Sequence, residues 1–165
     1  MNAFYLGLVA TAALAAPATT AAAAPSTNPM DFFEGRTEGT GTMRIVFRKP
    51  FHSKSVGQGT MRGGTMTLVQ RVEEAGKPAH DRRWIIRRIG AKRFTGTMSD
   101  AVGPVTIDEI GGRYRFRFKM KGHLSVQQWL IPLPGGTAAR NSVTIRKLGM
   151  TVGSGDGMIR KVAGR

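Results

Sequence analysis

Between Tyr114 and Lys121 every even position is large and apolar and every odd position is a cation. Tyr114, Phe116, Phe118 and Met120 alternate with Arg115, Arg117, Lys119 and Lys121. A period of two cannot sit on a helix, whose faces repeat near every 3.6 residues, but it divides a β-strand cleanly into two sides. One side must be buried and the other solvated, which is the pattern of an antiparallel sheet covering a core. The same division runs from residue 43 to 48, with Met43, Ile45 and Phe47 opposite Arg44 and Arg48.

Further strand patterns fill the chain at short intervals. They lie over 39–49, 54–62, 64–73, 82–89, 92–99, 102–110, 113–121, 124–132, 140–148 and 150–162. Gly63-Gly64 and Gly111-Gly112 read as tight hairpin turns. Ala75-Gly76-Lys77-Pro78 and Pro132-Leu133-Pro134-Gly135-Gly136 read as longer loops, because Pro cannot donate to a ladder. Many short strands with no long helical period predict an all-β fold, an antiparallel barrel of about eight to ten strands. A membrane pore would need regular spans with aromatic girdles, whereas Arg82-Arg83-Trp84-Ile85-Ile86-Arg87-Arg88-Ile89 puts cations on both faces of one strand. An RNA-binding sheet would need patterned exposed aromatics and intervening helices, so nucleic acid is not an expected partner.

The first thirty residues carry no charge, and residues 3–16 form an apolar run too short to span a bilayer comfortably. Ala21-Ala22-Ala23 then offers a small-residue cleavage site, which predicts a signal peptide over 1–23 and export, most naturally to a bacterial periplasm. A spacer over 24–29 and a single barrel domain over 30–165 follow. The chain has no cysteine, so packing alone must hold the exported domain, and lipid attachment through an N-terminal Cys is excluded. With 25 Lys and Arg against 10 Asp and Glu, the net charge of +15 favours anionic partners. Beside a bacterial envelope those are phospholipid and lipopolysaccharide head groups. Arg115, Arg117, Lys119 and Lys121 are the candidate contacts with such a surface.

Catalytic signatures are weak. His52, His80 and His123 fall in separate turns without ligand spacing, so no metal or other cofactor is expected. Glu73-Glu74 and Asp108-Glu109 are sequence neighbours that point to opposite strand faces and make no acid–base dyad by spacing. Asp100 follows Ser99 and fits a turn carboxylate that accepts backbone N–H groups. Gly57-Gln58-Gly59-Thr60 lacks the Gly-Lys ending of a phosphate loop. Phe47, Trp84, Tyr114, Phe116, Phe118 and Trp129 are instead candidates to line the barrel interior, either as a filled core or as the wall of a ligand site.

Met30-Asp31-Phe32-Phe33-Glu34-Gly35 with Gly39 and Gly41, Arg83-Trp84 with Ile86, and Phe94-Thr95-Gly96-Thr97-Met98-Ser99-Asp100-Ala101-Val102-Gly103 form a set of blocks along the chain. Trp129, Asn141 and Lys147-Leu148-Gly149-Met150 with Val152-Gly153 complete the set. Together these blocks resemble a bacterial family of exported proteins, the domain of unknown function family 3833. The resemblance implies a lipocalin-like (calycin-type) barrel and no established activity. Two departures stand out: relatives often carry a lipid-attached Cys, absent here, and tend to place Asp before the C-terminal Trp, where this chain has Gln127-Gln128-Trp129.

The combined reading is a non-catalytic exported barrel that takes a hydrophobic or amphiphilic, lipid-like ligand. An enzyme acting on a small apolar substrate, through Asp100 or Tyr114, and a structural envelope protein with a filled barrel are the alternatives. The export reading has a direct check. N-terminal sequencing of protein from the producing cell should begin at Ala24, and a mature chain still starting at Met1 would overturn it.

Overall fold

The computed structural model describes residues 28–162, and all ten expected strand segments are strands in it. The expected signal peptide, the spacer up to residue 27 and residues 163–165 lie outside the described residues. In chain order the elements are α1 (Pro29–Phe33), β1 (Gly35–Ile45), β2 (Phe51–Arg62), β3 (Thr65–Glu74), β4 (His80–Gly90) and β5 (Arg93–Met98). They continue as β6 (Val105–Ile110), β7 (Arg113–Met120), β8 (Leu124–Pro132), β9 (Ala138–Lys147) and β10 (Met150–Val162). Each strand is antiparallel to the next, and β10 returns to β1, so the sheet closes into a barrel. Closure leaves no unpaired edge.

The turns explain the register. Arg62 pairs with Thr65 and Ile110 with Arg113 across two glycines, and all four glycines have positive φ, as a type I′ hairpin requires. The first hairpin differs from its sequence reading. The strand expected to reach residue 49 stops at Ile45, because Phe47 adopts φ 63° and the Arg48 N–H donates to the Ile45 carbonyl at 3.0 Å. That turn breaks the alternation that had placed Phe47 inside with Met43 and Ile45. Phe47 is instead fully exposed.

Sequence periodicity also missed α1, since one helical turn has too few residues to show a period and is unstable alone. Asn28 caps it, its side-chain oxygen accepting from the Met30 N–H at 2.8 Å and the Asp31 N–H at 3.2 Å. Pro29 occupies the first turn, where its missing N–H costs nothing, so the helix takes in the last residue of the expected spacer. Burial of Phe32 and Phe33 holds it against the barrel end. Gly59 permits this seat, because a Cβ there would lie 1.9 Å from the Phe33 carbonyl oxygen. Lys161 Nζ, on β10, donates to the Asp31 carbonyl at 2.8 Å and ties the helix to the far side of the closure.

α1 therefore plugs one end of the barrel. Beneath it Met66, Ile86, Phe94, Ile107, Tyr114, Leu130 and Ala139 form a packed layer of inward side chains. The opposite end, formed by the β1–β2, β3–β4, β5–β6, β7–β8 and β9–β10 connections, carries no such plug among the described residues.

Inward and outward phenylalanines should separate sharply in stability. Phe116 is buried edge-on to Trp84, so Phe116→Ala should cost about 3–5 kcal/mol in denaturant titration. Phe47→Ala should cost below about 0.5 kcal/mol. Equal losses would mean that the β1–β2 turn is misplaced.

Candidate functional site

Inward-facing side chains become sparse toward the open end. On β1 and β10 the inward positions Gly39, Gly41, Gly155 and Gly157 carry none. The two backbones also approach closely there: a Cβ on Gly157 would sit 2.2 Å from the Thr40 carbonyl oxygen, and one on Gly41 2.9 Å from that of Asp156. This bare wall leaves a cavity of about 410 Å³. Facing it are Trp84, Phe116 and Phe118, with Leu68, Met98 and Val126 completing an apolar lining. The Trp84 ring stands edge-on to Phe116 at 6.1 Å and to Phe118 at 5.7 Å, an arrangement that fixes all three planes.

Polar groups interrupt this wall at defined points. Trp84 Nε1 donates to Gln70 Oε1 at 2.7 Å, and Gln128 Nε2 donates to Asn141 Oδ1 at 2.8 Å. Each bond satisfies part of an amide whose burial unpaired would be costly. All three amide side chains border the cavity, so their remaining donors and acceptors are available to an occupant.

The mouth holds a fixed cation. Arg82 points inward from β4, and its Nε donates to Asp100 Oδ2 at 2.8 Å. Asp100 is held in turn by Ser99 Oγ, which donates at 2.8 Å, and by His80 Nε2 at 3.3 Å. Burial opposes the Asp100 charge, yet the Arg82 and Ser99 hydrogen bonds, the Arg82 charge and the His80 contact outweigh it. The Asp100 pKa therefore lies below its ordinary value of 3.8. The terminal guanidinium nitrogens of Arg82 have no acceptor among the described residues, and Arg82 lines the cavity. Glu74, also at the mouth, is paired with Lys77 at 2.5 Å.

The six expected lining residues do not share one place. Trp84, Phe116 and Phe118 line the cavity. Tyr114 is inward and buried, but it belongs to the packed layer, edge-on to Phe94 at 6.4 Å and away from the cavity wall. Burial, and then the Glu109 charge, raise its pKa above the ordinary 10.0. Phe47 stands outside, for the reason given above. Trp129 is a second correction: Val126 and Leu130 fix the inward register of β8, so position 129 faces out. There Trp129 lies beneath two guanidinium groups, Arg113 at 5.3 Å and Arg115 at 5.9 Å, in a cation–π stack.

Arg115, Arg117 and Lys119 face outward, as the alternation requires, and Lys121 falls in the turn after β7. Their charges are unequal in effect. Arg115 and Arg117 both reach Asp108 Oδ2, at 3.3 and 3.0 Å. No acidic partner of Lys119 or Lys121 lies among the described residues. Gln70, Gln128 and Asn141 were missed as site residues, although each interrupts an inward run of apolar residues, and Arg82 was missed beside the inward pair Trp84 and Ile86. A polar residue out of phase with its strand was the signal that could have found them. Among the described residues no three His, Asp or Glu side chains converge on a point that could hold a metal.

The chain belongs to the family described as "Protein of unknown function (DUF3833)", which matches residues 6–161. No curated protein matches it. Among solved structures it is similar to the S-type phycobiliprotein lyase CPES of Guillardia theta, with 5% identity and a TM-score of 0.65 over 82% of this chain and 92% of that one. It is similar also to Rv2717c of M. tuberculosis, with 12% identity and a TM-score of 0.61 over 85% and 99% of the two chains. A third is a DUF3598-family protein of unknown function from Nostoc punctiforme, with 10% identity, a TM-score of 0.56 and coverage of 82% of this chain and 50% of that one. At these identities the likeness concerns the fold, a lipocalin-like antiparallel barrel.

The Asp100 cluster carries a pH signature. A carboxylate whose folded pKa is depressed stabilises the fold fully above its unfolded value, near 3.8, and loses that contribution as pH falls through the lower folded value. Asp100→Asn should therefore be less stable than the parent at neutral pH, and the difference should shrink as pH falls below 3.8. Melting curves across that range would show it. A difference independent of pH would mean that the carboxylate charge is not what holds Arg82.

Proposed function

We propose that this family member binds an amphiphile whose apolar chain enters the barrel and whose anionic head stops at Arg82. The observation that carries the reading is a cavity plugged by α1 at one end and open at the other, with Arg82 held by Asp100 at the mouth. A volume of about 410 Å³ is within the range of small-molecule sites, about 300–1,000 Å³. The aromatic wall supplies apolar contact, and the glycine wall supplies room. Arg82 is already oriented by Asp100, so a carboxylate or phosphate oxygen reaching its terminal nitrogens need not order that side chain.

The apolar N-terminal stretch and the +15 charge support a place beside the bacterial envelope, where lipid-like ligands occur and anionic membrane or lipopolysaccharide surfaces attract the protein. Arg115, Arg117, Lys119 and Lys121 add to that attraction, with Lys119 and Lys121 the more effective pair because Asp108 offsets the two arginines. The catalytic alternative has less support, since Asp100 is engaged by three side chains and Tyr114 lies outside the cavity wall.

Titration with a fluorescent long-chain carboxylate, alongside native mass spectrometry of the purified protein, tests the reading. Val143→Trp, which fills the cavity from β9, should abolish uptake while the fold persists. Arg82→Gln should weaken carboxylate binding by about tenfold and leave the matching alcohol unaffected. A parent protein that takes up no apolar-chain probe, and carries none from the cell, would sink the proposal.

A further inference from the structure

The most exposed large apolar side chains gather on two hairpins at the barrel mouth. Phe47 is 103% exposed, Leu148 80% and Met150 67%. Phe47 lies in the β1–β2 turn, and Leu148 with Met150 lies at the β9–β10 turn. Closure of the barrel sets these hairpins side by side: Ile45 pairs with Gly153, and the Val46 N–H donates to the Val152 carbonyl at 3.0 Å.

Their backbone makes the exposure harder to dismiss as chance. Phe47 has φ 63° and Leu148 φ 48°, both in the left-handed region that side chains with a Cβ enter unfavourably. Leu148-Gly149 forms a two-residue turn between Lys147 and Met150, where Asn or Gly would fit the backbone better. Neither side chain gains burial in return within this chain. An aromatic and an aliphatic residue are thus held outward at strained positions.

The surrounding charge identifies what they meet. Arg48, Lys49, Lys121, Arg146 and Lys147 flank the two tips, and the stretches 46–50, 121–124 and 146–151 contain no acidic residue. Of the carboxylates at the mouth, Glu74 and Asp100 are each paired with a cation, and Glu73 points outward from the end of β3. Apolar tips ringed by Lys and Arg complement an anionic lipid surface, where acyl chains begin a few ångströms below the phosphates. Ile45, Arg48 and Phe51 connect this rim directly to the cavity lining.

We propose that the mouth rim is a membrane-docking surface. Phe47, Leu148 and Met150 enter the head-group layer of an anionic bilayer, and Arg48, Lys49, Lys121, Arg146 and Lys147 contact its phosphates. The cavity then opens onto lipid instead of water. The inference rests on the rim and goes beyond the cavity reading, which concerns what lies inside.

The absence of cysteine makes a local reporter available in the full chain, unaffected by the apolar N-terminus. Leu148→Cys and, at the plugged end, Thr60→Cys would each carry an environment-sensitive fluorophore. With vesicles of phosphatidylglycerol and phosphatidylethanolamine, the probe at 148 should brighten and shift to the blue. The response should fall with added salt and be absent with phosphatidylcholine vesicles, while the probe at 60 stays unchanged. No response at 148, or an equal response at 60, overturns the proposal. A Phe47→Ser, Leu148→Ser, Met150→Ser variant should melt like the parent, take up a soluble long-chain carboxylate as the parent does, and bind the same anionic vesicles about tenfold more weakly in a co-sedimentation titration. Vesicle binding by this folded variant equal to the parent's overturns the docking role, whereas loss of carboxylate uptake in the parent would bear on the cavity alone.

Discussion

Everything in this barrel depends on how closely β1 can lie against β10. Gly41 on β1 faces Gly157 on β10 across the closure, with Gly39 and Gly155 one inward position further along their strands, and the backbones leave no space for a Cβ at Gly157. A side chain there would push the first and last strands apart. The same four positions face inward, so the absence of side chains also hollows the barrel. One substitution pattern thus closes the sheet and creates its cavity. Packing density and open volume usually compete in a small barrel; here they are assigned to different ends.

At the plugged end, α1 and the Phe94–Tyr114 layer supply the core. A helix of five residues has little stability of its own, and its position depends on Phe32 and Phe33 being buried and on Gly59 admitting its last carbonyl. At the open end the interior is only partly filled, and aromatic edge contacts keep Trp84, Phe116 and Phe118 in place around the space. Stability and ligand access therefore draw on separate residues. This separation lets the mouth hold charged and strained groups that a packed core would not accept.

Strand order and most turns were legible in the sequence because alternation and paired glycines act over a few residues. Arg115, Arg117 and Lys119 face outward for the same local reason. The cavity was less legible, since it arises from residues far apart in the chain whose inward positions coincide only after closure. Phe47 and Trp129 show two ways in which hydrophobicity misleads. Phe47 follows an alternating run but sits where the chain has already turned, and Trp129 occupies an outward position because guanidinium groups, not a core, cover its ring. The amides Gln70, Gln128 and Asn141 were readable in principle as polar interruptions of apolar registers. α1 was not, because a single turn leaves no periodic trace.

The β1–β10 closure also imposes an order in time. Neighbouring strands from β2 to β9 can pair as soon as each hairpin exists, since their partners are adjacent in sequence. β1 must wait for the last strand of the chain, and contacts between distant segments form late because the intervening loop is entropically costly to close. Until then β1 and β10 are both bare edges, and the glycines among their inward positions lack side chains that would discourage pairing in the wrong register. A second copy's β10 would fit β1 as well as the chain's own does. Between the pairing of β2 with β3 and the arrival of β10, the growing sheet therefore has open edges that only the end of the chain can close.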